Sequence, residues 1–176
     1  MNLENEILKE HSKRQVVKIA GWIGSNRMRF RQLMELFLHG EPVVSQRSAW
    51  TVGYCGEKYH GLIAPWLPAM LKKMQQQDAH CAIKRNVIRT LQYIEIPRTH
   101  LGKVATICFN ELANPGSPIA VRAFSMYVLA KLAKEEPGII NELRITIEQL
   151  LPLAGAGLRA CSRKVLKQLN KLQNTA

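Results

Sequence analysis

Residues 117–133 read SPIAVRAFSMYVLAKLA: a serine and a proline, a short apolar turn, an arginine at 122, then apolar residues at helical spacing up to Ala133. A proline just inside a helix start costs little, because its missing N–H would have no partner there. Residues 78–94, DAHCAIKRNVIRTLQYI, repeat the design with Asp78 as the opening cap and Arg85 as the early cation. Two earlier stretches, SKRQVVKIAGWIG (12–24) and SQRSAWTVGYCG (45–56), share a serine two residues before an arginine, small residues in the middle and a closing glycine. Aligned on the arginine, the chain gives Arg14, Arg47, Arg85, Arg122 and Arg163, at intervals of 33, 38, 37 and 41 residues. Recurrence at this length is the mark of stacked helix pairs, each too small to bury its apolar face alone.

Working outward, no run alternates with period two and no Asn-Gly or Asp-Gly hairpin turn occurs, so strands are not expected. Apolar residues recur at helical spacing between short breaks and predict ten helices, near 3–10, 12–23, 27–39, 43–55, 59–75, 79–94, 98–113, 118–134, 138–151 and 157–172. Connections of a few residues force sequential helices to pack antiparallel. Ser12 and Asp78 are the expected N-caps of the second and sixth helices, and Pro42 and Pro118 mark two further starts. Pro68, following Pro65, predicts a kink or a late start in the fifth helix.

The stretch Pro118-Ile119-Ala120-Val121-Arg122-Ala123 resembles the HEAT-repeat family, whose second helices open with Asp or Pro followed by Val-Arg and a small residue; Asp78 with Arg85 is the other good instance. The resemblance covers essentially the whole chain. It implies an all-α, right-handed α-α superhelix, a solenoid of about five helix pairs forming a single domain over residues 1–176. It also implies that the early arginines bond an acid or a backbone carbonyl of the adjoining repeat, and that the second helices line a concave surface.

The bulk properties agree with one ordinary globular core: 47% apolar and 22% charged residues exclude a disordered chain. The balance of charge is unusual, with 25 Lys and Arg against 13 acids, a formal +12, and Asp78 the only aspartate. An acidic partner is implied, whether protein, nucleic acid or an anionic surface. Cys55, Cys81, Cys108 and Cys161 are too scattered for a zinc site and read as buried free thiols. The polar stretch MNLENEILKEHSKR has no apolar core of a signal peptide, and no stretch approaches the apolar length of a membrane span, so a soluble, cytoplasmic protein is expected.

On a 100° wheel, the position four residues after each repeated arginine holds Lys18, Thr51, Arg89, Met126 and Lys167, so a basic stripe is expected that breaks at Thr51 and Met126. Arg163, Lys164, Lys167 and Lys171 share one face of the last helix. Arg85, Arg89 and Gln92 line up similarly in the sixth. Trp22 and Tyr93, each eight residues after an arginine, are placed among these cations, either to stack on a ligand or to pack against the next repeat. The candidate partner-binding residues are therefore Arg14, Lys18, Trp22, Arg85, Arg89, Tyr93, Arg163, Lys164, Lys167 and Lys171. Arg27, Arg29 and Arg31 lie two apart, do not share a face, and read as a solvated helix start.

Catalytic patterns are missing. No GxSxG elbow, Walker loop or dinucleotide loop occurs, and His11, His39, His60, His80 and His100 fall near helix ends about one helix apart, which does not gather a metal. Alkylpurine DNA glycosylases built from HEAT-like repeats resemble the chain in charge and in aromatics such as Trp22 and Trp50. Their groove aspartate has no counterpart, since Asp78 reads as a cap and nothing in the spacing recommends Glu57 or Glu95 as a substitute. The sequence thus predicts a non-enzymatic scaffold without cofactor or metal that binds an acidic macromolecule, foremost a protein; nucleic acid is the alternative, and a glycosylase-like enzyme a third reading.

Overall fold

The computed structural model describes residues 1–174, which form ten α-helices, with no strand among the described residues. These are α1 (Leu3–Lys9), α2 (Lys13–Ile23), α3 (Arg27–His39), α4 (Pro42–Lys58), α5 (Leu67–Met74), α6 (Cys81–Leu91), α7 (Arg98–Ala113), α8 (Ile119–Leu132), α9 (Ile140–Leu150) and α10 (Ala156–Gln173). The all-α architecture of helix pairs is the one predicted.

Side-chain caps set several boundaries. Asn2 accepts from the Asn5 amide at 3.1 Å, Ser12 from Gln15 at 3.2 Å, and Asn26 from both Met28 and Arg29 at 3.0 Å, each filling orphan donors of a first turn. Gly24 ends α2 at φ 51°, where a side chain would be strained. Pro65 and Pro68 delay the fifth helix: two 3₁₀ turns, His60–Leu62 and Ala64–Trp66, precede α5, and Pro68 falls in its first turn.

The expected Asp78 cap is corrected. The chain turns through residues 75–79, and His80 becomes the N-cap of α6, its Nδ1 accepting from the Ala82 amide at 3.1 Å. The thiols also differ from expectation. Cys55 and Cys108 are buried, and burial pushes each up to about 12, whereas Cys81 is exposed and Cys161 is partly so.

The helices group into two units, Met1–Glu95 and the residues from Ile96 onward. In the first, α1, α3 and α5 form one layer and α2, α4 and α6 the other, with α4 central and packed on α1, α2, α3 and α6. In the second, α7 neighbours α9 and α8 neighbours α10, again in two layers. Phe30, Leu33, Met34 and Phe37 of α3 and Leu67, Met70, Leu71 and Met74 of α5 are almost wholly buried at the centre of the first unit.

Close approach of α4 to α6 depends on two glycines. A Cβ on Gly53 would lie 3.3 Å from Asn86 Oδ1, and one on Gly56 would lie 2.5 Å from Thr90 Cγ2. Thr90 cannot swing aside freely, because its hydroxyl donates to the Asn86 carbonyl at 2.8 Å and its side chain is fully buried. Alanine in a helix interior ordinarily gains about 0.5–1 kcal/mol over glycine, but overpacking costs about 1–3 kcal/mol. The two effects separate by position. Gly56→Ala is expected to lower stability in urea denaturation, whereas Gly102→Ala, on the exposed face of α7 with nothing within 4 Å of its Cβ, is expected to raise it. A gain for Gly56→Ala would show that the α4–α6 contact does not require the glycine.

Candidate functional site

The candidate cations lie on the outward ridges of the second-layer helices, but their surroundings differ. In α2, Arg14 pairs with Glu10 at 3.1 Å, and Lys18 donates to Glu6 at 2.6 Å. Glu6 also accepts from Gln15 Nε2 at 2.8 Å and lies 4.0 Å from Lys9. Hydrogen bonds from Lys18 and then Gln15 hold the Glu6 carboxyl below its usual range. Glu10 is lowered likewise, by Ser12 and then Arg14. In α6, Arg89 donates to Glu57 of α4 at 2.6 Å, with both side chains 29% exposed. Glu57 is thereby committed to an ion pair. Arg85, one turn earlier, is exposed, and no hydrogen bond or ion pair engages it among the described residues.

Trp22 sits at the flank of the α2 ridge, and its ring is engaged by an exposed arginine: the Arg29 guanidinium lies 4.5 Å from the ring centroid and donates to the Trp22 carbonyl. Arg31 reaches Glu35 at 3.8 Å, so two members of the α3 arginine cluster have local partners. Tyr93 is 38% exposed at the end of α6.

In the second unit, α10 carries Arg159, Arg163, Lys164, Lys167 and Lys171 and no acid. At 100° per residue these five span roughly 140° of the helix, opposite the buried stripe Leu158, Ser162, Val165 and Leu169. All five are exposed. Lys164 lies over the Tyr127 ring of α8 at 5.6 Å. Arg163 and Lys167 make no hydrogen bond or ion pair among the described residues.

Thr51 and Met126, the two breaks expected in the stripe, are buried, at 1% and 0% exposure. The helices around them are turned differently from the others. On α4 the accessible ridge runs through Arg47, Trp50 and Tyr54, and on α8 through Phe124 and Tyr127. Arg47 donates to the Leu8 carbonyl at 2.7 Å, and Arg122 turns toward α7 to donate to the Leu112 carbonyl at 3.0 Å. Sequence reading did not place Tyr54 or Tyr127 among the candidate residues, nor His11, whose ring meets Trp50 edge-on at a centroid distance of 5.3 Å. The i, i+3, i+7 spacing of Arg47, Trp50 and Tyr54 is the signal that marks the α4 ridge.

No group of three or more His, Cys, Asp or Glu among the described residues is arranged to hold a metal ion, and no described helix is long and apolar enough to cross a membrane.

A family model described as a HEAT repeat domain matches residues 3–169. No curated protein and no solved structure matches the chain.

The Glu6 cluster ties α1 to α2 and titrates. Because the folded carboxyl lies below its ordinary value, its stabilisation is present above that value and disappears as pH falls through the folded one. Amide exchange in α1 is therefore expected to quicken as pH drops from 6 to 3, beyond the intrinsic pH trend. Glu6→Gln should show faster α1 exchange already at pH 6 and a flatter pH response. An unchanged α1 would mean that apolar packing of Leu3 and Ile7 alone holds that helix.

Proposed function

The chain belongs to the HEAT repeat domain family, and from that premise we propose that it is a non-enzymatic binding module of the cytoplasm whose basic second-layer ridges receive an acidic protein. The observation that carries this reading is α10: five exposed cations on one face, no acid in the helix, and no hydrogen bond or ion pair for Arg163 or Lys167 among the described residues. A face this rich in positive charge raises the local potential and attracts an anionic partner.

The first unit favours protein over nucleic acid as that partner. There Glu6, Glu10 and Glu57 are interleaved with Lys18, Arg14 and Arg89, so a continuous phosphate backbone would meet carboxylates along its course. A protein segment can set its own cations against those acids. Free cysteines fit a reducing compartment.

Isothermal titration with an Asp/Glu-rich peptide tests the proposal. Micromolar binding is expected at low salt, weakening with added salt. The double substitution Arg163→Glu with Lys167→Glu should reduce affinity by about tenfold, equivalent to about 1.4 kcal/mol. Since both side chains are exposed and unpaired among the described residues, the variant should melt like the parent. Tighter binding of a duplex oligonucleotide than of the peptide would replace the protein reading with a nucleic-acid one. No binding of either at low salt would remove both.

A further inference from the structure

We propose that His11, Arg47 and Arg85, with Trp50 as a wall, form a site for a phosphate monoester carried on a phosphorylated serine or threonine of a partner protein. The site lies wholly within the first unit and stands or falls independently of α10.

The packing of α4 on α6 brings these groups together. A Cβ on Gly53 would meet Asn86, one on Gly56 would meet Thr90, and Glu57 bonds Arg89, so α4 and α6 run side by side in parallel with a constant offset. One turn toward their N-termini, the place of Arg89 is taken by Arg85, and the facing ridge of α4 offers Trp50 and Tyr54 instead of a carboxylate. Arg85 thus repeats the geometry of the Arg89–Glu57 pair without its acid. Arg47 occupies the preceding turn of α4, held in place by its bond to the Leu8 carbonyl, which uses one of the five N–H donors of its guanidinium. His11 enters from the α1–α2 connection and is fixed edge-on against Trp50.

The electrostatics point the same way. The His11 imidazole is held below its ordinary value first by desolvation, then by the charges of Arg47 and Arg85. Glu10, adjacent in sequence, is engaged by Ser12 and Arg14. Three groups that are cations or become cations therefore converge with no acid assigned to them.

The ligand follows from charge and from boundaries. A phosphate monoester brings about −1.5 to −2 charges and three acceptor oxygens, enough to serve two guanidinium groups and an imidazole together. A carboxylate offers one charge and two oxygens. The site is bracketed by the Glu10–Arg14 pair on one side and the Glu57–Arg89 pair on the other, which fits an isolated phosphate and opposes a polyanionic strand.

The test follows the His11 ring by NMR in the full chain, titrated with a short uncharged peptide carrying one phosphoserine. Matched peptides with serine or glutamate at that position, inorganic phosphate and a duplex oligonucleotide serve as comparisons. The phosphopeptide is expected to move the His11 resonances and raise its pKa, the glutamate peptide to bind at least about tenfold more weakly, and the serine peptide not at all. Arg85→Gln, an exposed and unpaired position whose thermal melt should be unchanged, is expected to weaken phosphopeptide binding by about tenfold. The Arg163→Glu, Lys167→Glu variant should retain it. No response of His11 to the phosphopeptide, or equal affinity in Arg85→Gln, overturns the site. Binding of inorganic phosphate as tightly as the phosphopeptide, or of the oligonucleotide more tightly, overturns the assignment to a phosphorylated protein.

Discussion

The last carbonyls of a helix have no intrahelical donor, and this fold satisfies several of them with side chains from later helices. Arg47 of α4 takes Leu8 O of α1 at 2.7 Å. Ser45 of α4 donates to Phe37 O at 2.6 Å, Lys73 of α5 to Leu38 O at 3.0 Å, and Arg122 of α8 to Leu112 O at 3.0 Å. Three of these four donors are cations at the negative end of a helix, where the macrodipole adds to the bond. Two of them, Arg47 and Lys73, also join one helix pair to the one before it. The stacking of pairs in the first unit is therefore specified by directional bonds as well as by apolar burial.

That constraint divides the repeated arginines. Arg47 and Arg122 each donate to a helix-end carbonyl, and in both helices the position four residues later, Thr51 and Met126, is buried. Arg14, Arg85 and Arg163 remain outside. Arg14 finds Glu10 in the α1–α2 connection, whereas Arg85 and Arg163 pair with no acid among the described residues. One position in the repeat thus serves packing at Arg122, leaves charge available at Arg85 and Arg163, and at Arg47 does both.

Most of the fold was legible because helices of this kind announce themselves locally. Ser12, Pro42, Gly24 and the Pro65–Pro68 segment act on their own backbone, and the helices begin and end close to where those residues placed them. His80 was missed as a cap because Asp is the stronger cap by type, while the choice between Asp78 and His80 depends on how the 75–79 turn closes. The candidate site was legible in part. The α10 face could be read from a wheel, since one helix suffices to define it. The ion pairs Lys18–Glu6 and Arg89–Glu57 join residues 12 and 32 apart, on different helices, and a wheel has no access to them. His11 and Trp50 meet only through the packing of α1 and α2 on α4.

Net charge fixes how far such pairing can go. With 25 cations and 13 acids, full internal compensation is impossible, and self-repulsion opposes folding wherever the excess gathers. Two acids of the first unit, Glu6 and Glu57, are committed at the α1–α2 and α4–α6 contacts, where an ion pair also orders two helices. Part of the excess falls on α10 and on the Arg85 turn, and these two places differ in kind. On α10 the charges are spread over a solvated face, so ions of the solution screen them readily and a partner gains mainly by steering and by releasing those ions. Around Arg85 the imidazole packs edge-on against Trp50 and is depressed by desolvation and by its cationic neighbours, so an anion placed there would relieve their repulsion. Of the two proposed places, the Arg85 turn would select a ligand by size and charge, while α10 would select by sign alone.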